Sequence, residues 1–155
     1  MSNQVNVALI GSKFMGRAHA NAWGQVGRFF DTDPSASLHT IVARNPEETA
    51  EFAETWGWKN ASTDWRATVT SDDIDLVDIA TPNSAHAEAA IAALGAGKHV
   101  ACEKPLAGTL ADAEAMAAAA AASSGRTFVW YNYRRVPAVA LAHRIVASGA
   151  LGQIY

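Results

Sequence analysis

Five short stretches carry the side chains and turns that could do chemistry. The first is Gly11-Ser12-Lys13-Phe14-Met15-Gly16, which follows an apolar run and opens a helical pattern. A tight turn that feeds a helix N-terminus presents unpaired backbone N–H groups and the positive end of a helix dipole, which suits a pyrophosphate. Gly11 and Gly16 stand at the first and third glycine positions of G-x-G-x-x-G, and Lys13 stands at the second. The Lys13 ammonium has three outlets: the pyrophosphate, a ribose 2′-phosphate, or solvent. The second stretch is Ala43-Arg44-Asn45, where an acid would bind ribose hydroxyls. Arg44 there favours a 2′-phosphate instead, and so NADP over NAD; the plainer reading is an exposed arginine at a strand end.

The third stretch is Thr81-Pro82-Asn83 with His86. Thr81 and Asn83 have the groups to bond a ribose or phosphate, although Pro, Asn and Ser also make turns and caps unaided. The fourth is Glu103-Lys104-Pro105. A lysine held by neighbours can hydrogen-bond a substrate hydroxyl and take part in moving its proton; a surface ion pair is the alternative. A cis bond before Pro105 would turn Lys104 toward a pocket. The fifth is Asn132-Tyr133-Arg134-Arg135, where Arg134 could reach a cofactor or substrate oxygen, or sit in a surface turn. His19, His39, His99 and His143 lack ligand-like spacing, and with Cys102 the only cysteine no metal cluster is expected. The five tryptophans read as core or interface.

The elements that position these stretches alternate. Strands are expected at Val5–Ile10, Leu38–Ala43, Lys59–Ala61, Leu76–Ala80, His99–Cys102 and Thr127–Tyr131. Helices are expected from Met15 to Gln25 or Val26, after the Asn45 cap, after Thr63 or Asp64, after a Ser84 cap with Ala87, Ala90, Ile91 and Leu94 inward, from Thr109 to Ser123, and over Pro137–Ser148. The pattern predicts an α/β fold: a doubly wound parallel sheet of Rossmann type, strand order 3-2-1-4-5-6. All five stretches then fall at strand C-termini, the ligand-binding edge of such sheets.

At 155 residues, half of them hydrophobic, the chain is long enough for one domain with a real core. Its net charge of −3 is scattered, which argues against nucleic acid or a membrane surface as partner. No apolar run reaches the roughly 18 residues of a membrane span, no leader pattern opens the chain, and the single cysteine fits a reducing, cytoplasmic setting.

Together the stretches resemble the Gfo/Idh/MocA oxidoreductases. The likeness rests on Ala8 to Gly16, Ala80-Thr81-Pro82-Asn83 with His86, Ala96-Gly97-Lys98-His99-Val100 leading into Cys102-Glu103-Lys104-Pro105-Leu106, and Asn132-Tyr133-Arg134. It implies an NAD(P)-binding Rossmann domain acting with a sugar, inositol or related polyol. Lys104 is then the catalytic lysine. By the same likeness Thr81, Asn83, His86 and Glu103 are expected near the cofactor; the residue readings above add Gly11, Lys13, Phe14, Met15, Gly16, Arg44, Pro82 and Arg134 as candidate contacts. The resemblance also implies a second, substrate-binding α/β domain. Residues 1–148 read as the dinucleotide domain and 149–155 as the stub of the second, and little turnover is expected from the 155 residues alone. Two further readings are an NAD-dependent glycosidase of the same family and a dinucleotide-binding sensor without chemistry. Val136, Val139, Leu141, Ile145, Val146, Leu151 and Ile154 are expected to pack partly on the sheet and partly to invite homo-oligomer formation.

Overall fold

The structure is a computed structural model and describes residues 3–154. In chain order the elements are β1 (Gln4–Ile10), α1 (Phe14–Phe29), β2 (Ser35–Val42), α2 (Pro46–Trp56), β3 (Asn60–Ser62), α3 (Trp65–Thr70), β4 (Leu76–Ile79), α4 (His86–Gly95), β5 (His99–Cys102), α5 (Leu110–Ala122), β6 (Thr127–Val129) and α6 (Pro137–Ala147). Short 3₁₀ turns occupy Asn83–Ala85 and Asn132–Arg135. The six strands form one sheet in the order β3-β2-β1-β4-β5-β6, with every pairing parallel. This is the expected doubly wound arrangement.

Both faces of the sheet are covered where β1 is unbroken apolar sequence, from Val7 to Ile10. Val7 and Leu9 point to one side with Ala20 of α1, Ile41, and Phe52 and Ala53 of α2. Ala8 and Ile10 point to the other with Val69 of α3, Ala89, Ala90, Ala93 and Leu94 of α4, and Met116 of α5. The alternation continues in β4. Val77 and Ile79 join the second cluster, while Leu76 packs against the first. Asp78 therefore faces the α1 side.

Helix starts follow the sequence where a side chain can reach back to the backbone. Asn45 accepts from the Glu48 N–H, Asp64 from Ala67, and Thr109 from Asp112. Ser84 makes no such cap. It lies inside the 3₁₀ turn, and α4 starts two residues later with Ala89, Ala90, Ala93 and Leu94 inward and Ile91 exposed. Helix α1 runs on to Phe29, past the expected stop, because Gly24 and Gly27 are tolerated within it; a helix-interior glycine costs only about 1 kcal/mol. Strand β2 accordingly begins at Ser35, paired with Gln4. The expected packing of α6 on the sheet does not occur: none of its residues is buried, and Val136, Val139, Leu141, Ile145, Val146, Leu151 and Ile154 are all exposed.

Candidate dinucleotide-binding site

Hydrogen bonds just beyond the strand ends knit the C-terminal edge of the sheet into one rim. The Gly11 N–H donates to the Val42 carbonyl (2.8 Å), Ala80 to Ile10 (2.9 Å), Glu103 to Ile79 (2.9 Å) and Trp130 to Cys102 (2.9 Å). Each bond carries the ladder one step past a strand. The glycine turn, the 81–83 loop, the Glu103-Lys104-Pro105 segment and the turn holding Arg134 are thus set side by side.

The turn after β1 requires its glycines. Gly11 has φ +112°, and a Cβ there would lie 2.6 Å from the Ala80 carbonyl oxygen. A Cβ on Gly16 would lie 2.0 Å from the Gly11 oxygen. Backbone fills both positions, so neither neighbour can swing aside. Lys13, between them, takes φ −82° and ψ −152°, an extended conformation open to any residue, so the missing second glycine does not distort the turn. Its ammonium pairs with Glu48 at the start of α2 (2.7 Å), with both side chains well exposed. Phe14 is exposed and Met15 half-buried. No side chain caps α1, in contrast to α2, α3 and α5. Its first-turn N–H groups are left for a ligand, in a cradle that a Cβ would fill. That arrangement fits a pyrophosphate.

Arg44 is exposed beyond β2 and forms no ion pair among the described residues. Pro82 and Asn83 are exposed, and the Pro82 carbonyl accepts from the Ala85 N–H (2.9 Å). Thr81 Oγ1 is buried without a partner among the described residues. His86 is buried, with Nε2 at 2.8 Å from the Thr81 carbonyl oxygen and Nδ1 at 3.1 Å from that of Pro105. Both ring nitrogens are occupied by backbone, so His86 ties the 81–83 loop to the 103–106 loop. The Lys104–Pro105 bond is cis and the Lys104 side chain is exposed. Arg134 is exposed in its 3₁₀ turn.

Beneath the rim lies a cluster the sequence reading passed over. Asp78 is fully buried and accepts from the Trp23 indole (2.7 Å) and the Trp130 indole (2.9 Å). His19 sits between Asp78 and Glu103, with Nδ1 at 2.9 Å from Asp78 Oδ2 and Nε2 at 3.2 Å from Glu103 Oε1. Glu103 is buried, and its other oxygen accepts the Lys104 backbone N–H (3.0 Å). Burial opposes charge on His19, but hydrogen bonds and charges from Asp78 and then Glu103 outweigh it and hold the pKa above the ordinary histidine value. Burial, with the same two carboxylates, pushes the Cys102 thiol up to about 12, so it is no nucleophile at neutral pH. A signal existed: a lone carboxylate in the apolar run Leu76–Ile79 has to find donors.

A parallel doubly wound sheet with a glycine cradle at its switch point, β1 beside β4, defines a dinucleotide-binding domain. Comparison with known proteins agrees. Residues 5–132 match the model of the oxidoreductase family with an NAD-binding Rossmann fold, and the chain belongs to that family. It is 47% identical over 151 residues to levoglucosan dehydrogenase of Pseudarthrobacter phenanthrenivorans, covering 97% of this chain and 39% of that protein. Among solved structures, an oxidoreductase domain protein from Kribbella flavida superposes with TM-score 0.90 at 51% identity, over 98% of this chain and 41% of that one. A levoglucosan dehydrogenase in complex with NADH and levoglucosan superposes with TM-score 0.91 at 46% identity, over 97% of this chain and 41% of that one. The chain thus spans about two fifths of the length of these relatives.

Proposed function

We propose that this chain is the dinucleotide-binding domain, residues 1–148, of an oxidoreductase that oxidises or reduces a CH–OH carbon of a sugar or related polyol. The observation that carries the reading is the shared rim: the uncapped α1 cradle and the Glu103-Lys104 segment lie along one sheet edge. The first-turn N–H groups of α1 hold the pyrophosphate, and the Thr81–Asn83 loop lines the path toward Lys104. When bound, the nicotinamide takes or returns a hydride. Lys104 bonds the substrate hydroxyl and holds its proton as the carbonyl forms. Likeness to a levoglucosan dehydrogenase supports an anhydrosugar or related polyol as substrate class. Arg44, free of any acidic partner among the described residues, supports a preference for NADP over NAD, whereas the NADH-bound relatives support NAD(H) as a ligand as well.

The test uses this domain joined to the substrate-binding domain that the family resemblance implies, with levoglucosan and scyllo-inositol as probes. Lys104→Met is expected to lower kcat at least about 100-fold while leaving the NADH Kd within about threefold. Wild-type turnover in that variant overturns the assignment. In parallel, Arg44→Ala is expected to weaken NADPH roughly tenfold and NADH little, the loss of one charge-assisted contact. Equal losses for both remove the NADP preference.

A further inference from the structure

Two buried carboxylates beneath the rim share one possible cation. Asp78 is 0% exposed and Glu103 6%, and among the described residues no lysine or arginine pairs with either. The groups that face His19 are Asp78 from β4, Glu103 from the end of β5, the Trp130 ring edge-on at 5.4 Å from beyond β6, and Trp23 one turn along its own helix, bonded to the same Asp78 oxygen. None of them is a cation. A neutral imidazole donates through one nitrogen only, so its other nitrogen would set a lone pair against a carboxylate. The imidazolium donates to both, and the raised pKa of His19 accords with that form.

The contacts run in one direction through the site. Helix α1 begins at the Gly11–Gly16 cradle and carries His19 in its second turn. His19 holds Glu103 Oε1, and Glu103 Oε2 holds the Lys104 N–H. We propose that His19 is a positioning residue: as an imidazolium it ties the cofactor-cradling helix to Glu103 and so fixes the Lys104 segment at the rim, and loss of its proton releases that segment. The proposal rests on the reading of Lys104 as the substrate-side lysine, but its test reads the segment itself and not turnover.

The experiment follows amide exchange of Lys104 in the full chain across pH, corrected for the intrinsic rate, alongside tryptophan emission. An imidazolium beside Trp130 quenches the indole, so the emission step that shifts in Asp78→Asn reports His19 against the background of the other four tryptophans. In wild type, Lys104 protection is expected to fall as pH rises through the range in which emission climbs. His19→Gln is expected to lower Lys104 protection about tenfold and to abolish both pH steps. Asp78→Asn keeps the Glu103 contact but removes one carboxylate, so both midpoints are expected to move together to lower pH. A purely structural role for His19 would still move the emission midpoint, but Lys104 protection would then show no step that follows it. Protection that is flat with pH in wild type, or a midpoint that Asp78→Asn does not move, overturns the proposal. Those two measurements decide it even if His19→Gln fails to fold. Failure of the Lys104 assignment would show separately, as undiminished turnover in Lys104→Met with this exchange pattern intact.

Discussion

Asp78 is the residue at which the chain departs furthest from what its pattern asks for. A central position in a buried strand calls for a hydrocarbon, and a carboxylate survives there only because Trp23, Trp130 and His19 all reach it. Those partners are 52 to 59 positions away along the chain, which is why the site was not legible as a cluster. The same distance problem hid the partner of Lys13: Glu48 lies 35 residues on, so the sequence left its three outlets open, and the structure shows a surface ion pair. Gly11, by contrast, is legible because the turn that needs its positive φ is local, whereas Lys104 stands out only through the resemblance carried by its Glu-Lys-Pro segment. The charge state of His19 has a consequence for stability. Its pKa is higher folded than unfolded, so the contribution is complete below the unfolded value of about 6.5 and is lost as pH rises through the folded value. The urea midpoint of wild type is therefore expected to fall across that window relative to His19→Gln; parallel pH profiles of the two proteins would contradict it.

At the scale of elements, the legible parts are those with a local physical cause. Caps at Asn45, Asp64 and Thr109 each need one side chain and a backbone N–H three residues on; Asn45 and Thr109 are readable outright, and Asp64 as one of two candidates with Thr63. The Ser84 cap and the end of α1 were not, because tertiary contacts decide whether a 3₁₀ turn intervenes and whether a glycine ends a helix. The β1–α1 turn can be tested by paired substitutions. Gly16→Ala puts a methyl 2.0 Å from the Gly11 carbonyl oxygen, whereas Gly24→Ala, further along α1, meets open space. The first is expected to lower stability by about 1–3 kcal/mol or more and to weaken NADH binding. The second is expected to stabilise by up to about 1 kcal/mol and leave binding alone. Urea denaturation and NADH titration of the two variants check this, and a neutral Gly16→Ala would mean the cradle is not held by close backbone contact.

For the molecule as a whole, strand order, and with it the edge at which the candidate stretches meet, followed from alternation of strand and helix, since right-handed crossovers leave few ways to wind such a sheet. The cover of β6 and α6 did not follow. Phe128, Tyr131, Tyr133 and the apolar residues of α6 remain exposed at one end of the sheet, and pattern alone cannot distinguish a helix that packs on its own sheet from one that does not. The central claim is that the rim built by β1, β4 and β5 cradles a nicotinamide dinucleotide. The direct measurement is a titration of the isotope-labelled full chain with NADH, following backbone amide shifts. The largest changes are expected at Gly11–Gly16 and in the 81–83 and 103–106 loops, with little change at the opposite edge of the sheet, as at Lys98 and Arg126. Saturable binding whose shifts centre on that opposite edge, or no binding at all, would contradict the account.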